Sequence, residues 1–139
     1  MTYLERAKDL YAQMEQGNIM DAFETYYHKD VVVVEADGQE RHGKDAQRRA
    51  IQEWMDAVEE MHGDATEFVT SNEEEAVTMV QSFTDVTMNG QRMPFREIAV
   101  QRWDDDQIVH EAFFYFVPSE MQRQMAEAAA KAKPSAKRS

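Results

Sequence analysis

Apolar positions in the first third of the chain recur at helical spacing. Tyr3, Leu4, Ala7, Leu10, Tyr11 and Met14 share one side of a 3.6-residue repeat. Thr2 and Glu5 stand where a capping box would open that helix, each side chain satisfying the other's free backbone N–H. Gly17 ends it, and Asn18 precedes a second apolar side made of Ile19, Ala22, Phe23, Tyr26 and Tyr27. The period then changes. Residues 31–36 open with four valines and predict a strand, and Asp37-Gly38 is a tight-turn dipeptide from which residues 39–41 return. A third helix follows Gly43, carries Ala46, Ala50, Ile51, Trp54, Val58 and Met61, and closes at Gly63, with His42 and His62 at its ends.

From there the pattern is that of strands, over residues 66–71, 76–88, 92–103 and 108–117. Asn89-Gly90 is the strongest of the intervening turn signals, because both central positions of a type I′ turn need positive φ. Pro94 lacks a backbone donor and belongs at an edge or bulge near that turn. Strands of ten to twelve residues at about 3.3 Å each span roughly 35–40 Å, and such a sheet must twist and curl. Phe113-Phe114-Tyr115-Phe116-Val117 is apolar on both faces. One face can meet the helices. The other calls for a second cover, so a homodimer through the outer face of the sheet is expected. Residues 119–130 read as a further helix with Met121, Met125 and Ala128 on one weakly apolar side, and residues 131–139 as a disordered basic tail.

Bulk properties narrow the class. One domain fits 139 residues, with residues 1–118 as its body. With no cysteine, disulfides and thiolate metal sites are excluded. No apolar run approaches the roughly 18 residues of a membrane span, and the charged Met1-Thr2-Tyr3-Leu4-Glu5-Arg6 is not a signal peptide, so a soluble cytoplasmic protein is expected. The net charge is −12, and four of the fifteen basic residues lie in the last nine positions. Such a surface repels nucleic acid and anionic membrane. His28, His42, His62 and His110 show no paired ligand spacing, so no metal or other cofactor is expected.

The order helix, helix, short hairpin, helix, long strands, with Tyr26-Tyr27-His28-Lys29-Asp30 before the valine strand and Gly38 to His42-Gly43 before the third helix, resembles the nuclear transport factor 2-like superfamily. It is most similar to the SnoaL-like and ketosteroid-isomerase-like branch, over residues 2–118. The resemblance implies an α+β fold: a cone-shaped, curved antiparallel sheet packed on three N-terminal helices (a cystatin-like roll), with a pocket at the open end. Members include isomerases, dehydratases, epoxide hydrolases, polyketide cyclases and domains with no enzymatic activity, so the fold does not carry the reaction with it.

Candidate chemistry sits on carboxylates. Glu35 follows the valine run and shares a face with Val31 and Val33. Against apolar walls its pKa would rise, as a general base needs near neutral pH; the alternative is a solvent-facing glutamate beside the Asp37-Gly38 turn. The resemblance points to the same position, because the isomerases' catalytic carboxylate ends the equivalent strand within one residue of Glu35. Their oxyanion-hole aspartate would match Ala99, which donates nothing, and their first-helix tyrosine would match Leu10, with Tyr11 one step off. In SnoaL-like members a polar residue three after the isoleucine of the last strand faces the pocket; here that is Glu111, with Phe113 and Tyr115 inside and His110, Phe114 and Phe116 outside. A one-residue slip would turn His110 inward instead. Glu97 and Gln101 share the inward phase of Ala99, and Tyr11, Met14 and Trp54 either pack the core or wall the pocket. Two classes stay open: a cofactor-free isomerase, lyase or hydrolase acting on a small apolar molecule, with Glu35 as base and Glu111 as partner, or a non-enzymatic binding or dimeric assembly module.

Overall fold

The capping box predicted at the N-terminus is formed. Glu5 N donates to Thr2 Oγ1 at 3.0 Å and Thr2 N donates to Glu5 Oε1 at 2.8 Å, opening helix α1 (Tyr3–Glu15). In the computed structural model, which describes residues 1–116 and Glu127, α2 (Ile19–Tyr26) follows, then strands β1 (Tyr27–Val34) and β2 (Glu40–His42) and helix α3 (Lys44–Ala57). Four long strands complete the fold: β3 (Val58–Asn72), β4 (Val77–Met88), β5 (Gln91–Asp104) and β6 (Gln107–Phe116). Apart from Glu127, the expected helix over 119–130 and tail over 131–139 lie outside the described residues.

The strands form one curved, unclosed six-stranded sheet in the order β2-β1-β6-β5-β4-β3. All neighbours are antiparallel except β1 and β6, which run parallel. The four long strands pair antiparallel as expected, and the one parallel pair joins β1 to β6. β1 and β6 are far apart in sequence and joined through the rest of the fold, so no hairpin constrains their direction.

Two other boundaries move. β1 begins at Tyr27 rather than near Val31, because the chain leaves α2 straight into extended backbone. The third helix ends at Ala57, not Gly63, and Val58 and Met61 belong to β3. Met88 sits at the tip of the β4–β5 hairpin and needs an edge partner. Val58 supplies it, and the β3–β4 ladder runs from that pair to Asn72–Val77. Ladder pairing over this length outweighs the weak helical spacing of Val58 and Met61. The hairpin turns hold as read: Asn89 and Gly90 have φ of 53° and 74°. Pro94 pairs with Asp85 of β4, and the described part of β6 stops at the Phe116–Arg96 pair, so its ring lies on a stretch of β5 bordered by one strand.

The core lies between the helices and the sheet. Ala7, Leu10, Ala22, Phe23, Val31, Val33, Val80 and Ile108 are fully buried or nearly so, and Tyr26 meets Trp103 edge to face with ring centroids 5.9 Å apart. A cavity opens between α1, α3 and the sheet.

Candidate functional site

The cavity holds about 540 Å³. Tyr11, Met14 and Glu15 reach it from α1, Gln47, Ala50, Ile51 and Trp54 from α3, Met61, Asp64 and Thr66 from β3, and Ser82, Thr84 and Met88 from β4. Phe95 and Glu97 of β5 and Glu111, Phe113 and Tyr115 of β6 form its floor, with Tyr27, Glu35 and Arg41 at the β1–β2 side. Of the residues singled out from the sequence, Tyr11, Met14, Glu35, Trp54, Glu97, Glu111, Phe113 and Tyr115 all line this one space. Gln101 stands a layer behind, fully buried.

A β-bulge sets the phase of β6. Trp103 pairs with Ile108 but Arg102 with His110, so β6 carries one residue more than β5 between those pairs. Ile108 and Glu111, three apart, therefore both face inward and are buried, and the Glu111 phase is the one adopted. β5 is regular through the same stretch, with Glu97, Ala99 and Gln101 inward and Arg96 and Arg102 exposed outward.

Glu111 is 1% exposed and accepts two hydrogen bonds: Tyr27 Oη donates to Oε1 at 2.5 Å and Gln101 Nε2 to Oε2 at 2.9 Å. Burial pushes its pKa up and these donors pull it back, leaving it at about 6. Glu97 has less to hold its charge. Burial and the nearby charges of Glu111 and Glu35 push it up to about 8, against one hydrogen bond from Tyr115. The phenols of Tyr11 and Tyr27 are raised well above their ordinary value by burial and by the Glu111 charge, so both are neutral donors. Asp64 is raised too, by burial first and then by Glu15.

Glu35 differs from the expectation of apolar walls. It lies one residue beyond β1, about a quarter exposed, and forms an ion pair with Arg41, whose Nε also donates to Gln47 Oε1 at 2.8 Å. The Tyr115 hydroxyl donates to Glu35 Oε1 at 3.4 Å and also bonds Glu97. Arg41 went unnoticed in the sequence, although the β1–β2 register carries the signal: Arg41 pairs with inward-facing Val33. Tyr27 was read as helix apolar face, but as the first residue of β1 it is aimed at Glu111. Leu10 is fully buried, and the neighbouring Tyr11 supplies the hydroxyl on the cavity wall. Among the described residues no group of three His, Asp or Glu side chains is arranged to hold a metal ion.

Fold and site together define a class: small α+β domains whose curved sheet and three helices border a cavity lined by apolar side chains and several carboxylates. The sequence profile of the SnoaL-like domain matches residues 7–111. The chain belongs to the SnoaL-like family of the nuclear transport factor 2-like superfamily. Among solved structures it is similar to a Mesorhizobium loti protein named as a SnoaL-like polyketide cyclase, at 30% identity, covering 83% of this chain and 100% of that one, with a TM-score of 0.74. A nuclear transport factor 2-like protein of unknown function from Burkholderia pseudomallei shares the fold at 18% identity, 87% and 95% coverage and a TM-score of 0.70. So does AclR of Streptomyces galilaeus, named as a hydroxylase, at 12% identity, 87% and 93% coverage and a TM-score of 0.68. No curated protein matches the sequence.

Proposed function

We propose that this protein binds a small, uncharged, largely apolar molecule in the cavity and catalyses proton transfer next to a carbonyl group, with Glu111 as base and Glu97 as acid. The observation that carries this reading is the pair of inward carboxylates with separated pKa values, about 6 for Glu111 and about 8 for Glu97. Near pH 7 the first is mainly ionised and the second mainly protonated, the pairing that acid–base catalysis needs. A neutral carboxylic acid can donate to a developing oxyanion, so Glu97 offers the donor that Ala99 lacks. Tyr11 accepts from Gln101 Nε2 at 3.4 Å and keeps its own hydroxyl proton for the cavity.

Charge in the cavity supports an uncharged ligand. Among the described residues, Glu15, Glu35, Glu53, Asp64, Glu97 and Glu111 line it against one cation, Arg41, which Glu35 already engages. An anionic ligand would be desolvated without a partner. Trp54, Phe95, Phe113 and the methionines provide apolar wall. Glu35 then serves as the counter-ion of Arg41 and a support for Tyr115, and not as the base.

The bicyclic ketone 2-tetralone tests this. In D₂O the protein should accelerate exchange of its α-hydrogens, and Glu111→Gln should lose that acceleration by about 10²–10⁴-fold, the usual worth of a positioned base. The anion 2-naphthoate should bind more weakly than the ketone. Exchange that is indifferent to Glu111→Gln would remove the base assignment.

A further inference from the structure

The Glu111 carboxylate ends a hydrogen-bonded chain that begins away from the cavity. Trp103 Nε1 donates to Thr78 Oγ1 at 2.9 Å, Thr78 Oγ1 donates to Gln101 Oε1 at 2.7 Å, and Gln101 Nε2 donates to Glu111 Oε2 at 2.9 Å. Thr78 and Gln101 are fully buried and Trp103 is 5% exposed. None of the three lines the cavity.

The first member sets the direction of the rest. An indole N–H can only donate, so the Thr78 oxygen accepts there and sends its own hydrogen on to Gln101. With its oxygen engaged by Thr78, the Gln101 amide must turn its NH₂ toward Glu111. The reverse orientation would press a carbonyl oxygen against the carboxylate. It would also strand the Thr78 hydrogen in a buried site, at the cost of an unmade hydrogen bond.

We propose that Trp103, Thr78 and Gln101 form a one-way amide lock that keeps Glu111 a hydrogen-bond acceptor, and so makes Glu111 rather than Glu97 the base of the cavity. The word base rests on the proposed function; the lock itself is a property of the ligand-free protein. Trp103 and Thr78 act through Gln101 and are positioning residues. The lock adds to the contrast between the two carboxylates, since Gln101 gives Glu111 a second donor beside Tyr27, while Tyr115 divides its single hydroxyl hydrogen between Glu35 and Glu97. The titratable and charged groups facing Glu111 are Tyr11 on α1, Tyr27 on β1, Glu35 just after β1, Arg41 on β2 and Glu97 on β5. The lock touches none of them except Tyr11, through the 3.4 Å contact from Gln101.

Carboxyl-carbon NMR of the ligand-free protein tests the lock directly. In a Glu97→Gln background Glu111 titrates without the coupled ionisation of Glu97. Gln101→Leu removes the donor and should raise the Glu111 midpoint by about 1–2 pH units, the usual worth of a hydrogen bond to a charged group. Thr78→Val and Trp103→Phe each delete one remote link, and each should raise it by about half a unit to one unit. Thr78→Ser keeps the hydroxyl and should keep the wild-type midpoint. The two remote variants are independent, so a failure of one to fold leaves the other as the test. A midpoint unmoved in the folded remote variants overturns the lock, as does an equal rise in Thr78→Ser, which would mark repacking rather than the hydroxyl. No ligand enters this titration, so a failure to process 2-tetralone bears on the proposed function alone.

Discussion

Glu111 is fully buried and Glu97 half-buried on the adjacent strand, and their surroundings give them different tasks. Burial raises both; the charges of Glu111 and Glu35 raise Glu97 further, while two donors hold Glu111 lower, and this sets the order in which they ionise. The same shifts make stability depend on pH. Folded Glu97 holds its proton to about pH 8, whereas the unfolded chain releases it near the ordinary 4.5. Between those values the folded state binds more protons, so stability falls as pH rises through this window. Glu111 adds the same sign between 4.5 and about 6. Glu24, Glu67 and Asp85, lowered chiefly by their arginine partners, act oppositely: their contribution is present above the unfolded pKa and lost in acid. Thermal unfolding should therefore show a lower Tm at about pH 9 than at about pH 5, and Glu97→Gln should flatten that decline. Parallel curves for wild type and Glu97→Gln would show that Glu97 does not carry the shift.

Elements decide whether such residues meet. The helix starts and the hairpin turns were legible in the sequence, because period, caps and Asn-Gly turns are local signals; the inward phase of β5 was reached through Ala99, which the resemblance placed inward, and a regular strand. The phase of β6 was legible only through resemblance, since a bulge breaks the two-residue alternation and nothing in Ile108-Val109-His110-Glu111 announces it. The start of β3 was hidden because Val58 and Met61 also fit a helical spacing, and the partner that claims them is 30 and 25 residues away. The Arg41–Glu35 pair was missed for a related reason: a three-residue strand is too short to show a period, although its register aims Arg41 inward. Packing at this scale has a checkable magnitude. Phe23 of α2 is 1% exposed and stacks on Tyr27 with centroids 4.9 Å apart. Phe23→Ala should cost about 3–5 kcal/mol in denaturant unfolding. A loss under about 1 kcal/mol would show that α2 does not anchor the start of β1.

At the scale of the molecule, the outer face of the sheet matters. Val34, Ala112, Val100 and Met79 form one row across β1, β6, β5 and β4, and Phe114, Ile98, Gln81 and Phe68 a second across β6 to β3. Phe114, Phe68 and Met79 are 58%, 44% and 37% exposed. A patch of this kind on a chain of net charge −12 is the surface on which we propose a second copy docks. Sedimentation should give a dimer at micromolar concentration and a monomer for Phe114→Lys; a monomeric wild type would contradict the proposal. The expectation for Phe116 on this face lies outside the described side chains. No helix among the described residues is long and apolar enough to cross a membrane. The central claim concerns the cavity on the other face, and the pH profile of 2-tetralone exchange tests it most directly. Glu111 must be ionised and Glu97 protonated, so the rate should follow a bell with limbs near about 6 and about 8, and Glu97→Gln should abolish the alkaline limb. A rate that climbs steadily to about pH 10, unchanged from exchange in buffer alone, would contradict it.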